Sequence, residues 1–182
     1  MSIISRNLLT VAFVVVAYTL SYMLNDWLFK QIEFTQGVAW VYLPAGLRLI
    51  CTLLFAEAGV LGILFGSLLT SSMYALFPGD PITTIGYSLI SALAPYFAYR
   101  YTLQEMRLER SLSNLTTTNL LICILLYGLC NPLLQLAWFI MRGVSSHYLP
   151  SLIVMSIGDL TGSLIVVYAF KTLLSFVPLP HR

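Results

Sequence analysis

Apolar runs of about twenty residues recur down this chain with only short polar breaks between them, and that pattern decides its solvent. A bilayer core of roughly 30 Å is crossed by about 20 apolar residues in a helix. Measured against that length, the sequence divides into about six segments. They lie at about 7–29, 38–55, 58–77, 82–99, 116–141 and 148–176. The reading is therefore all-α: a polytopic integral membrane helix bundle forming a single domain over residues 1–182.

Composition agrees with lipid as the solvent. Charged residues make up 9% of the chain, against about 25% in a soluble domain. So few charges cannot cover a water-facing surface. The apolar run that starts after Arg6 continues past Leu20 through Met23 without a small-residue cleavage site. We expect a retained first helix rather than a removed signal segment.

The breaks carry turn chemistry. Pro78-Gly79-Asp80-Pro81 cannot continue a helix, because two prolines and a glycine interrupt it. The longest polar stretch runs from Gln104 to Asn114 and holds Glu105, Arg107, Glu109 and Arg110. It reads as an interfacial extension of the fourth segment. At Ala56-Glu57 the second and third segments meet with almost no loop. Either a tight hairpin or a re-entrant segment would satisfy that junction.

Basic residues orient the bundle, because they are retained on the cytoplasmic side. With the N-terminus inside, Arg6, Arg100, Arg107, Arg110, Lys171 and Arg182 fall on the inner side and only Lys30 and Arg142 outside. The expected topology is N-in and C-in, with lipid as the surrounding partner. A net charge of +2 with dispersed basic residues offers no stripe for tracking phosphates, so no nucleic acid partner is expected.

Two ionisable residues stand deep in the apolar segments, Arg48 in the second and Asp159 in the sixth. Each costs a few kcal/mol at a helix centre. Both lie about ten residues into their segments, roughly 15 Å from the outer boundary at about 1.5 Å per residue. Opposite charges at one depth point to a buried ion pair. It would be either a ligand- or ion-binding site or a structural lock between helices.

Helix breaks gather near these charges. Pro44 and Gly46 precede Arg48, Asn131-Pro132 interrupts the fifth segment, and Pro95 lies in the fourth. Irregular backbone at membrane depth is tolerated where protein or a polar cavity satisfies it. A cavity lined by Arg48, Asp159, Asn131, Pro44, Gly46, Gly158 and Gly162 is one expectation, and independent proline kinks are the other. Ala58, Gly62, Gly66 and Thr70 recur every four residues, so Gly62 and Gly66 are expected in close helix packing.

Catalytic chemistry is not expected. The histidines are His147 and His181 alone, too few for a haem ligand pair or a two-histidine metal site. No hydrolase elbow, phosphate loop or dinucleotide fingerprint occurs, so no enzyme, metal or cofactor is anticipated. Cys51, Cys123 and Cys130 lie in apolar runs and read as small core residues. Asn114-Leu115-Thr116 matches a glycosylation acceptor but falls on the inner side. Trp27, Trp40, Tyr42, Tyr99, Tyr101 and Tyr148 sit where an interfacial aromatic belt is expected.

Three elements together resemble a known family. Val41-Tyr42-Leu43-Pro44-Ala45-Gly46-Leu47-Arg48 is followed by Gly62-Ile63-Leu64-Phe65-Gly66-Ser67, and later by Ile157-Gly158-Asp159-Leu160-Thr161-Gly162. With the apolar helix from Leu89 to Arg100, the pattern is similar to the first type of membrane-associated sensor (MASE) domain, over about residues 36–174. That resemblance implies a bacterial inner-membrane input module for diguanylate cyclases, cyclic-di-GMP phosphodiesterases or histidine kinases. Family members have about eight helices and a C-terminal catalytic domain. Here about six are expected, with only a short tail after the last. The implied function is a sensor-like module that acts through helix contacts with another membrane protein or a second copy of itself. A solute-binding or transport component with an Arg48/Asp159 site, and an accessory subunit of a larger membrane complex, are the alternatives.

Overall fold

Without water to solvate it, backbone in lipid must satisfy its own N–H and C=O groups, and a long apolar run does so as a helix. The computed structural model describes residues 3–35, 37–105, 115–144 and 148–176. Their five helices are α1 (Ile3–Phe29), α2 (Leu43–Met73), α3 (Pro81–Glu105), α4 (Thr117–Arg142) and α5 (Tyr148–Ser175). A 3-10 turn at Lys30–Ile32 leads from α1 into a short antiparallel strand pair, β1 (Glu33–Thr35) and β2 (Val38–Ala39). This strap was not expected from the sequence, where residues 31–36 read as a polar turn and Val38 as the start of a helix.

The helix α2 is two arms. At Ala56 the backbone takes φ 45 and ψ −120. Beyond it, Gly59 comes against the carbonyl of Cys51. Residues eight apart on a straight helix lie about 12 Å apart at 1.5 Å per residue, so the chain has turned back on itself. Arms 43–55 and 57–73 are therefore about 20 Å and about 25 Å long.

Contacts fix the directions. Leu43 donates its N–H to Asn25 Oδ1 at 2.8 Å, Arg48 meets Tyr18, and Phe55 meets Phe13, so the first arm runs antiparallel to α1. The second arm, with Gly62 on Val14 and Gly66 on Tyr18, runs parallel to it. Tyr96 on Glu57, Gln135 on Ser91 and Asn131 on Asp159 then alternate α3, α4 and α5.

Local chemistry explains the ends. Pro44 occupies the first turn of α2, where a missing N–H costs nothing; it does not interrupt a helix as the sequence suggested. Asp80 accepts from the Thr83 N–H at 3.0 Å and caps α3. Gly143, at φ 66, closes α4, with Val144 N–H donating to the Phe139 carbonyl at 3.0 Å. Pro95 and Pro132 do lie inside helices. The stretch 106–114, with its glycosylation-like triplet, and His147 and His181 lie outside the described residues.

Among the described residues, four stretches are long and apolar enough to cross a membrane: Ser5–Ile32, Leu43–Met73, Thr117–Arg142 and Tyr148–Leu173. Apolar length alone therefore does not carry the expected count of about six spans. The helix α3 falls short because Thr83, Thr84, Ser88, Ser91 and Thr102 dilute its apolar content, and α2 folds back within one stretch. Large apolar side chains point outward, among them Phe13, Phe65, Phe97, Leu133 and Ile153. Polar ones point inward: Thr52, Ser67, Thr83, Ser88, Ser91, Asn131 and Gln135 are buried. That reversal of the water-soluble pattern places the apolar solvent on the outside.

Some aromatics and thiols depart from expectation. Trp27, Trp40, Tyr101 and Tyr148 are exposed, but Tyr99 is buried in the core beside Cys123 and Tyr127. Cys51 and Cys123 are buried, whereas Cys130 lies on the outer surface.

Candidate functional site

The first arm of α2 carries Arg48 into the centre of the bundle, where its side chain is fully buried. One nitrogen is well served. Nη2 donates to Tyr18 Oη at 2.5 Å and to Tyr42 Oη at 3.1 Å. The guanidinium carbon lies 5.2 Å from the ring centroids of both tyrosines. Cation–π attraction of this kind is worth about 2 kcal/mol when the cation is desolvated. Tyr42 Oη also lies 3.4 Å from Tyr87 Oη, which brings α3 to the site.

The other guanidinium nitrogens are open. Nε and Nη1 are buried and have no hydrogen-bond partner among the described residues. A guanidinium presents five donors in a fixed fork, and leaving buried donors unmade is costly. The Tyr127 hydroxyl is likewise buried and, among the described residues, has no partner at hydrogen-bonding geometry.

Asp159, from α5, is only 4% exposed. Asn131 Nδ2 donates to its Oδ2 at 2.5 Å, and Gln135 Nε2 continues the chain to Asn131 Oδ1 at 3.4 Å and to Ser91 Oγ at 3.1 Å. One turn of α4 thus presents an amide pair to the carboxylate and to α3.

Arg48 and Asp159 line one cavity, together with Tyr42, Tyr87, Asn131, Gln135 and Met155. They are not joined: among the described residues the ion pairs are Lys30–Asp26 and Arg142–Asp80. The expected direct pair is therefore replaced by two ionisable groups facing a shared space of about 10 Å³, room for about one water molecule. Gly37, Ala39 and Tyr42 of the strap also line a second hollow of about 20 Å³, with Asp26, Lys30 and Glu33 at its rim. The strap thus stands between the charged centre and the polar end of the bundle.

Of the expected lining, Asn131 is there. Pro44, Gly46, Gly158 and Gly162 are not on the cavity wall; the three glycines instead allow close packing around it. A Cβ on Gly158 would strike the Ala39 carbonyl, and one on Gly162 the Tyr42 carbonyl. A Cβ on Gly46 would come 2.6 Å from the Val166 Cβ and strike the backbone at Gly162 and Ser163. These glycines let α5 lie directly against the strap and the first arm. Tyr42 N–H donates to the Gly158 carbonyl at 3.1 Å, and Thr161 Oγ1 donates to the Trp40 carbonyl at 3.0 Å. Gly62 and Gly66 pack α2 on α1, and Gly66 seats the Tyr18 ring.

Sequence reasoning missed Tyr18, Tyr87 and Gln135, and placed Tyr42 at the interface. Tyrosine is at home in either setting, so only partnership with Arg48 could have marked them. Among the described residues no group of three His, Cys, Asp or Glu side chains comes together. Comparison with known proteins brings no relative to the site: no family model matches the chain, nor does any curated protein or solved structure.

Proposed function

We propose that this chain is a bacterial inner-membrane sensor module, in which occupancy of the Arg48–Asp159 cavity alters helix contacts made to a separate protein. The supporting observation is that the two opposed ionisable groups line one buried space without pairing, with two guanidinium nitrogens left open. A structural lock would close that gap. An open one is a receiving site, consistent with the sequence resemblance to membrane-associated sensor domains.

The surroundings favour sensing over transport. Next to Arg48 and about one turn beyond it, Leu49 and Leu53 enter an apolar cluster with Ala94, Ala98, Ile124 and Tyr127. This cluster plugs the bundle below the cavity, while the strap and its charged rim lie above it. A site reached from one end and sealed at the other reads a solute without passing it. In this reading the chain crosses the membrane six times, with α2 as a two-pass hairpin and both termini inside. Short arms are accommodated by local thinning of the bilayer.

The test is purification of the full chain from membranes in mild detergent, comparing wild type with Asp159→Asn and Arg48→Gln. A sensor retains the same partner chain in all three, with the partner's output changed in the variants. Vesicle uptake of a solute that depends on Asp159 would establish the transport reading instead. A partner that is retained with unchanged output would leave only the accessory role.

A further inference from the structure

The apolar plug has a far side, where α4 begins and α5 ends. A crevice of about 270 Å³ opens there between the two helices. Its walls are apolar: Leu120, Leu121 and Ile124 of α4 face Leu164 and Val167 of α5. Its mouth is polar, with Thr116, Thr117 and Lys171. Ile124 stands about two turns from Thr117, and Leu164 about two turns from Lys171, roughly 10 Å along each helix at about 1.5 Å per residue. The helices are antiparallel, so both grade from polar to apolar in the same direction. The crevice is therefore an amphipathic slot.

One charge belongs to this slot. Lys171 is exposed and has no acidic partner among the described residues, whose ion pairs lie at Lys30–Asp26 and Arg142–Asp80. No Asp or Glu among the described residues lines the crevice. Both helices are candidate membrane spans, and Leu121, Leu164 and Tyr168 are exposed along the rim, so the slot opens sideways toward lipid. An unmatched cation above an apolar slot is complementary to an acyl chain that carries an anionic head. We propose that the α4–α5 crevice binds an anionic phospholipid, its phosphate on Lys171 and one acyl chain along Leu120, Ile124, Leu164 and Val167. Basic pockets between membrane helices hold acidic lipid head groups by the same combination.

Each half of the slot calls for the matching half of the lipid. A neutral lipid would cover the walls but leave Lys171 without a counter-charge. A water-soluble phosphate would match Lys171 but leave the walls uncovered. The hydroxyls of Thr117 and Tyr168 also line the crevice, and hydroxyls are donors that phosphate oxygens accept. At the other end the acyl chain lies against Ile124, which is buried in one cluster with Leu49 and Leu53. Leu120 and Val167 pack on the same cluster. The lipid thus backs the plug that closes off the Arg48 cavity. In the six-crossing reading this end faces the cytoplasm, the side whose leaflet carries a negative surface potential.

Equilibrium binding of radiolabelled lipid to the purified full chain in mild detergent, with thermal unfolding alongside, tests this. The probes are phosphatidylglycerol, phosphatidylcholine with the same acyl chains, and glycerol phosphate, which has the anionic head alone. Phosphatidylglycerol is expected to bind saturably, about fivefold more tightly than phosphatidylcholine, and to raise Tm further. Glycerol phosphate is expected to leave Tm unchanged. Lys171→Gln should bring the two lipids to equal affinity, whereas Lys30→Gln, at the opposite end of the bundle, should leave their difference in place. Leu164→Trp fills the slot and should lower the binding of both lipids about tenfold. Lys171 and Leu164 are exposed, and elution from a sizing column checks that the variants fold. Equal binding of the two lipids by the wild type would overturn the proposal without any variant. So would a preference that survives Lys171→Gln, lipid binding unchanged by Leu164→Trp, or glycerol phosphate acting as strongly as the lipid. The sensor reading is untouched by these outcomes, since it stands on the Arg48–Asp159 cavity and the partner's output.

Discussion

A guanidinium sealed inside a helix bundle is kept there by its neighbours. Tyr18 Oη, at 2.5 Å, gives Arg48 its shortest contact. Tyr18→Phe keeps the ring, and with it the cation–π contact, but removes the acceptor. A hydrogen bond to a charged group is worth about 1.5–3 kcal/mol, so this variant is expected to lose about that much stability. Denaturant titration in detergent measures it, and a loss below about 0.5 kcal/mol would mean that the hydroxyl is not a partner of Arg48. The residue scale also marks where the sequence was legible. Arg48 and Asp159 stand out because a charge within an apolar run has few cheap explanations. The tyrosines around them do not, since their distribution along the chain fits a lipid interface as well as a core. Gly62 and Gly66 were recognisable as packing residues from their spacing, whereas Gly158 and Gly162, expected on the cavity wall, instead meet the backbone at Ala39 and Tyr42, a stretch that the sequence reading placed in a helix.

Helical segments were legible from the apolar runs, and their junctions from proline and glycine, whereas the fold of the α2 junction was not. Ala56-Glu57 was recognisable as a boundary, but composition does not distinguish a hairpin from a re-entrant segment. The distinction lies in a backbone angle. Ala56 holds φ 45, a conformation that costs a residue with a Cβ about 1–3 kcal/mol and a glycine little. Ala56→Gly is therefore expected to stabilise the protein by about 1 kcal/mol, and Ala56→Val to destabilise it by more, in the same titration. Equal effects of the two would show that the hairpin angle is not held in solution. A second junction is electrostatic. Asp80 accepts from Thr83 N–H and Oγ1 and pairs with Arg142 at 3.0 Å, tying the start of α3 to the end of α4. Those bonds, the Thr83 hydroxyl's first, hold its pKa down at about 2 against an ordinary 3.8. The folded form thus binds this proton less readily than the unfolded one. Its stabilising contribution is complete above about pH 4 and is lost as pH falls through about 2. Asp80→Asn should remove that part of the acid dependence and leave the rest of the pH profile as it is.

At the scale of the whole molecule, the reversal at Ala56 decides how many times the chain crosses the bilayer. Counted by apolar length there are four candidate spans among the described residues, with Leu43–Met73 as one of them. Counted by direction, arms 43–55 and 57–73 are opposed, and α3 follows as a further crossing. The two counts place Pro78 on opposite sides of the membrane. If α2 crosses once, Pro78 emerges on the side opposite Lys30; if it is a hairpin, both lie on the same side. Cys51, Cys123 and Cys130 can be replaced to leave a background free of thiols, into which single cysteines are returned at exposed positions. Lys30→Cys, Pro78→Cys and Val144→Cys are expected to react with an impermeant maleimide from outside intact cells. Glu57→Cys and Glu105→Cys should react only after the membrane is opened. A Pro78→Cys protein labelled only in opened cells would make α2 a single span. The strap and the Arg48 cavity would still face the side of Lys30. Labelling at Lys30, Pro78 and Val144 together sets the mouth of the cavity on the outer face, so that the solute it meets comes from outside the cell.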